Sequence, residues 1–305
     1  MQRAWVCILF VLFPIGVFGQ LFPLSDHYAF NALSINPAYA GSHEALSTTV
    51  SYRNQWVGFK DSPKSYMLSL HAPVFNDRVG LGLLIDNSSL GIFKETSFIA
   101  NYAYRMELRE GKLALGLGFG VTLSNIAWNE LNATDEGDLQ LIYSPTSIIL
   151  PTFSLGAYYY TKKFYIGISL PMFLRYELDK SKGKYLIINN FPRSNYLFSG
   201  GYEVNISQQV KLLPSMLIKY RPGNIPQIDY NAQIAIKDRI WFGIGYRNSD
   251  MLVGMLQFQL NYQIRMAYSY DFDLGNMGKY AAGSHEIVLN YIFRYTRKVI
   301  GPRQF

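Results

Sequence analysis

The residues with the most chemical capacity in this sequence are four histidines, His27, His43, His71 and His285. Two stand in an identical pentapeptide, Ala-Gly-Ser-His-Glu, at 40–44 and again at 282–286. Two imidazoles and two carboxylates would suffice for a divalent metal if the copies converged. Ser-His-Asp sets can be drawn on paper, but no local pattern surrounds a serine with a nucleophile elbow. The glycine runs at 116–120 and 243–245 are spelled like phosphate loops. They precede no helix and lack the Gly-Lys-Ser/Thr that follows in such loops. The single cysteine is Cys7, near the N-terminus.

Whether the two His-Glu copies meet depends on the elements between them. From Ala45 onward one pattern repeats: segments of about ten residues alternate in polarity, separated by turn residues. Leu113, Leu115, Leu117, Phe119, Val121 and Leu123 share one face, with Lys112, Ala114, Gly116, Gly118, Gly120, Thr122 and Ser124 on the other. Period-two alternation of this length is strand behaviour, because a helix would scatter the leucines around its axis. The sequence predicts about fourteen strands, near 45–53, 65–73, 79–87, 96–108, 112–125, 148–161, 164–170, 195–204, 210–221, 227–236, 239–247, 252–261, 263–271 and 285–295. The connections after even-numbered strands are short. Those after odd-numbered strands are often long: 54–64, 88–95, 126–147, 171–194 and 272–284.

Short turns at one end and longer loops at the other predict an all-β fold, a transmembrane antiparallel β-barrel of the outer-membrane type. Lipid cannot satisfy an open sheet edge, so the strands must close on themselves. The 24 Tyr and 20 Phe suit interfacial girdles. An even count puts both ends of the barrel strands on the short-turn, periplasmic side. The first His-Glu copy then enters the first strand from the periplasm, and the second enters the last strand from outside. They are expected a membrane thickness apart, so no metal site is expected. No cofactor and no catalytic residue is expected, and small polar residues before a strand are ordinary turn chemistry. Inward glycines read as room in the lumen or as bends.

Residues 1–19 read as a signal peptide: Arg3, then an apolar stretch from Trp5 to Ile15 too short to span a bilayer, then a cut expected after Gly19. The mature chain would have no thiol, which excludes disulfides, cysteine-zinc sites and a cysteine nucleophile. Residues 20–44 form an N-terminal periplasmic or plug segment, with a short helix expected from Ser25 or Asp26 through Leu33. Residues 45–305 form the barrel. The formal charge of +7 is spread over strand ends and loops rather than gathered for nucleic acid. Anionic lipopolysaccharide or a surface partner is the expected counterpart. Loop 126–147 is acidic and loop 171–194 mostly basic; a solvated surface with loop-to-loop pairing is the first expectation, and a docking surface for a charged protein partner is the sharper one.

Asn36-Pro37-Ala38-Tyr39-Ala40-Gly41 stands just before the first strand, followed by Arg53-Asn54-Gln55-Trp56-Val57-Gly58 and then Pro63. This run resembles the PorP/SprF family of Bacteroidota outer-membrane proteins. The resemblance implies a role in type IX secretion and gliding, and no enzymatic activity. It implies partners: a surface adhesin or other cargo with a type-B C-terminal domain, and for some members a periplasmic peptidoglycan-binding protein. Asn36, Pro37, Ala38, Tyr39, Gly41, Arg53, Gln55, Trp56, Gly58 and Pro63 are the candidate residues, in a structural role or in partner contact. Pro37 would fix a turn, Gly41 permit tight backbone, and Tyr39 anchor at the membrane interface. The competing expectation is an outer-membrane channel for small or hydrophobic solutes, motivated by the small, polar inner face.

Overall fold

The computed structural model describes residues 25–75, 77–127, 130, 147–172, 175–179, 184–188 and 194–293. The expected signal peptide and nearly all of the acidic loop lie outside these residues. The strands are β1 (Leu46–Asn54), β2 (Lys64–Val74), β3 (Val79–Leu90), β4 (Phe93–Leu108), β5 (Gly111–Ile126), β6 (Ser147–Tyr160) and β7 (Phe164–Leu170). Then come β8 (Arg175–Asp179), β9 (Lys184–Ile188), β10 (Tyr196–Tyr202), β11 (Val204–Asn205) and β12 (Val210–Tyr220). The last are β13 (Gln227–Ile236), β14 (Ile240–Arg247), β15 (Met251–Gln259), β16 (Ile264–Asp273) and β17 (Ser284–Phe293).

Strands of the main sheet pair antiparallel in chain order, with β7 on β10 and with β10 and β11 both on β12, and β1 pairs with β17. The sheet is therefore a closed ring. With β10 and β11 counted as one strand interrupted at Glu203, it is a fourteen-stranded barrel. No helix among the described residues is long and apolar enough to cross a membrane. Closure leaves no free edge strand in the ring, which lipid would not tolerate.

The barrel is inside out relative to a soluble protein. On β5, Leu115, Leu117 and Phe119 are exposed on the outside, while Ala114, Gly116, Gly118, Gly120, Thr122 and Ser124 are buried facing the lumen. Alternation made the strand legible, and burial now assigns its faces: apolar toward lipid, small and polar inward.

Two connections differ from expectation. Residues 88–95 are mostly strand, since β3 and β4 run on to Leu90 and Phe93 and leave only Gly91 and Ile92 between them. Gly91 takes a positive φ of 55°, the left-handed backbone a tight turn needs. Loop 171–194 contains a separate two-stranded hairpin, β8 with β9. At the opposite end, Lys237 and Asp238 both adopt positive φ and Ile236 C=O accepts from Arg239 N–H at 3.0 Å. That is a primed hairpin turn without the Asn-Gly spelling that usually announces it.

The expected helix over Ser25–Leu33 does not form. Instead two short 3-10 turns occur, at Ala32–Ser34 and Pro37–Tyr39. Asn36 begins the second: its backbone is extended, and its side chain accepts from Ala38 N–H at 3.0 Å. Pro at the first position suits the turn, because its missing N–H would be unpaired there in any case.

Candidate functional site

Residues 25–45 occupy the barrel lumen, and the protein's apolar core is built around them. Tyr28, Ala32, Leu33, Ile35, Ala38, Tyr39 and Ala40 pack against wall residues that include Ala103, Ala114, Tyr158, Tyr160 and Leu217. The segment runs from the loop end of the barrel, at Asp26, to the short-turn end, where it enters β1.

At the short-turn end the fit rests on bare backbone. A Cβ on Gly80 would lie 1.9 Å from Ala40 O, one on Gly116 2.1 Å from Ala38 N, and one on Gly156 2.0 Å from Asn36 Oδ1. These three inward glycines are thus room in the lumen, and the family motif fills it. Asn36 Nδ2 donates to Ala157 O at 3.0 Å and Ile168 O at 3.3 Å, reaching two adjacent strands. Gly41, at φ 72°, gives its carbonyl to Arg105 and its N–H to His71 Nδ1 at 3.2 Å. Tyr39 is not at the membrane interface. It is buried in the lumen, with its hydroxyl 2.8 Å from His43 Nε2 and its ring against His71 and Tyr158. The interface reading failed because a tyrosine next to a strand looks alike on either side of the wall.

Gly116→Ala is expected to destabilise the barrel by about 1–3 kcal/mol, the range for overpacking against atoms that cannot rotate away. Gly254, with nothing within 4 Å of its Cβ position, is the control. Thermal unfolding in detergent should fall for Gly116→Ala and hold for Gly254→Ala. Equal melting of the two would refute the packing argument.

At the loop end the contacts are ionic. Arg53 projects inward from β1 onto Asp26, Asp271 and Glu286, the last at 3.0 Å. Asp26 is shared with Arg247 at 3.0 Å, and Arg247 also binds Asp229 at 2.8 Å. Lys219 lies 3.6 Å from Asp229. Asp26 N–H donates to Glu286 at 2.8 Å, and Ser25 binds the same carboxylate. All of these charged side chains are buried. Burial alone would raise the Asp26 carboxyl; the Arg53 and Arg247 guanidiniums outweigh it and hold the group well below the usual carboxylate range. A depressed carboxylate stabilises the fold above its unfolded value, near 3.9, and loses that contribution only as pH falls below it.

The remaining motif residues shape the loop above Arg53. Gln55 N–H donates to Pro63 O at 2.9 Å, closing the β1–β2 connection. Trp56 and Gly58 both have positive φ. Val57 exchanges backbone hydrogen bonds with Gly283 and Ala282, at 2.9 and 2.8 Å, and Trp56 N–H donates to Ser284 Oγ at 3.2 Å. The second Ala-Gly-Ser-His-Glu copy is therefore the partner of the Arg-Asn-Gln-Trp-Val-Gly run. The two copies stand apart as the topology required: Glu44 pairs with Lys112 at 3.0 Å at the base of β5, while Glu286 meets Arg53 at the other end. Reading the second copy as ordinary turn chemistry missed Glu286. Asp26, Asp229, Arg247 and Asp271 were missed too. For those on strands the available signal was a charged residue on the otherwise small, polar face of an alternating strand; Asp26 lies on no strand.

A closed antiparallel ring with a lipid-compatible outer face and an internal plug defines an integral outer-membrane β-barrel. The type IX secretion system membrane protein PorP/SprF family matches residues 17–291. The chain belongs to that family, and its association is with type IX secretion. Among solved structures it is similar to the Acinetobacter baumannii outer-membrane protein Omp33, at 8% identity and TM-score 0.48, covering 83% of this chain and 100% of that one. It is also similar to the CymD monoaromatic hydrocarbon channel, at 12% identity and TM-score 0.49, covering 92% and 96%. No curated protein matches the sequence.

Proposed function

We propose that this protein anchors, or assists the export of, a surface protein with a type-B C-terminal domain, and that it acts by binding rather than by catalysis. It reaches the outer membrane through a signal peptide cleaved after Gly19. Its cargo is a surface adhesin or similar protein, and a periplasmic peptidoglycan-binding protein is a second partner that its relatives suggest. The observation that carries the reading is the filled lumen. Among the described residues the segment from Asp26 to Ala45 packs through the lumen against the wall, a filling that favours the rims over the bore as working surfaces. The family supplies the secretion context.

The experiment is affinity purification of the tagged, full-length barrel from its own outer membrane, together with a deletion strain. Recovery of a large surface protein through its C-terminal domain, and loss of that protein from the surface in the deletion strain, are the expected results. Recovery of the barrel alone with normal surface display would overturn the proposal. Solute-selective conductance of the intact barrel would favour the channel reading instead.

A further inference from the structure

The outward face of the fourteen barrel strands carries only two Lys or Arg side chains among the described residues, Lys64 on β2 and Lys94 on β4, and no carboxylate. All other lysines and arginines of these strands point into the lumen. A charge facing hydrocarbon is costly, so its position on a lipid-facing wall carries information. Both lysines lie at the loop end, the extracellular one. They sit in one cross-strand row: Lys64 pairs with Ser89 of β3, and Ser89 pairs with Lys94. The row continues through Asn54 of β1 and Asn125 of β5. One strand separates the two ammonium-bearing residues, which spaces their backbones by roughly 10 Å.

The levels below the row are ordered as a membrane interface would be. Tyr52 and Tyr66, one inter-pleat step toward the membrane centre, pair across β1 and β2 with ring centroids 4.8 Å apart. Tyrosines of this kind sit at headgroup level. Lysines just beyond them reach the phosphate layer. Lys64 and Lys94 are exposed, and neither has an ion-pair partner among the described residues. Asp86 and Glu95, close in sequence, face the lumen from β3 and β4, and Asp61 stands in the loop beside Lys60. At the loop ends of β7, β10 and β12–β16 the outward residues include Ile168, Tyr196, Tyr220, Tyr246 and Phe272, with no cation.

We infer that the outer wall over β1–β5 is a headgroup site for a phosphorylated outer-leaflet lipid of the lipopolysaccharide class. Lys64 and Lys94 would neutralise phosphate. Ser89, Asn54 and Asn125 would hydrogen-bond to sugar or phosphate oxygens between and beside them. The choice of occupant rests on charge complementarity: the outer leaflet is the medium this face meets, and phosphate is its anionic group. The site orients the barrel rotationally toward one lipid-bearing side.

The test is native mass spectrometry of the purified full-length barrel, titrated with phosphorylated lipid A and with the same lipid after phosphate removal. Wild-type protein is expected to prefer the phosphorylated lipid. The double variant Lys64→Gln with Lys94→Gln should lose roughly tenfold or more of that affinity, from two lysines near an anionic surface. Lys237→Gln, at the opposite rim, should lose none. Equal affinity of the wild type for the two lipids, or unchanged binding in the double variant, overturns the inference. Should the double variant fail to fold, by loss of heat-modifiable gel mobility, the wild-type comparison and the single Lys94→Gln variant decide the matter alone.

Discussion

Replacing Arg53 with alanine is expected to cost the barrel about 3–5 kcal/mol and to loosen the lumenal segment at its loop end. The magnitude is that of removing one partner from a buried ion pair, which leaves uncompensated charge behind. Here the stranded charge is large: Arg53 contacts Asp26, Asp271 and Glu286, and only Asp26 has a second guanidinium, Arg247, at hand. Intact, such a network contributes little net stability over a hydrophobic filling, because desolvation offsets attraction. Its value lies in register. Asp26 is the point where the plug meets β1, β14, β16 and β17 at once. Arg53→Lys keeps one charge but loses the fork that divides it among three acceptors, so it should recover only part of the loss. Urea unfolding in detergent, followed with proteolysis between residues 25 and 45, measures both effects. If Arg53→Ala unfolds like wild type and protects that segment equally, the latch does not exist.

The strands were legible because lipid and lumen impose opposite demands on alternate residues. Fourteen periodic segments and short turns after every even one were sufficient to infer closure. The interior was not legible in the same way. Residues 25–45 follow no period, because a chain threaded through a barrel is contacted from all sides and has no single face to pattern. Asn36 and Gly41 stood out as turn formers, yet their main task is to meet Gly156 and Gly80 across the lumen, 120 and 39 positions away. Sequence spacing carries no trace of that. Glycines were the one available clue. Several inward glycines on β3, β5 and β6 cost strand stability unless something occupies the space they leave. The charged latch was hidden differently: Arg53, Asp271 and Glu286 lie on three strands that become neighbours only when β1 closes on β17.

Deleting residues 26–40 is expected to turn a silent barrel into a conducting one. The wall does not need the plug to close: every ladder from β1 to β17 is strand-to-strand, and the joins β1–β17 and β10–β12 involve no plug backbone. What the deletion removes is the filling: the apolar cluster around Leu33 and Tyr39, Phe30 against Arg265 at 4.7 Å, and the Asp26 contacts. The exposed wall would be polar, since Ser47, Thr49, Ser69, Asn101, Arg105 and Asn290 all point inward. Water can therefore fill the space, as it does in barrels with polar interiors. Planar-bilayer recordings should show steady conductance for the deletion and none for the intact chain. Arg53→Ala should give brief openings, because its segment is still held at Gly80, Gly116 and Gly156 by shape rather than charge. A deletion that inserts, resists heat like a barrel and stays silent would mean that wall side chains alone fill the bore. Conductance in the intact protein would return the channel reading to the front, because the plug would then be a constriction within a pathway rather than its end.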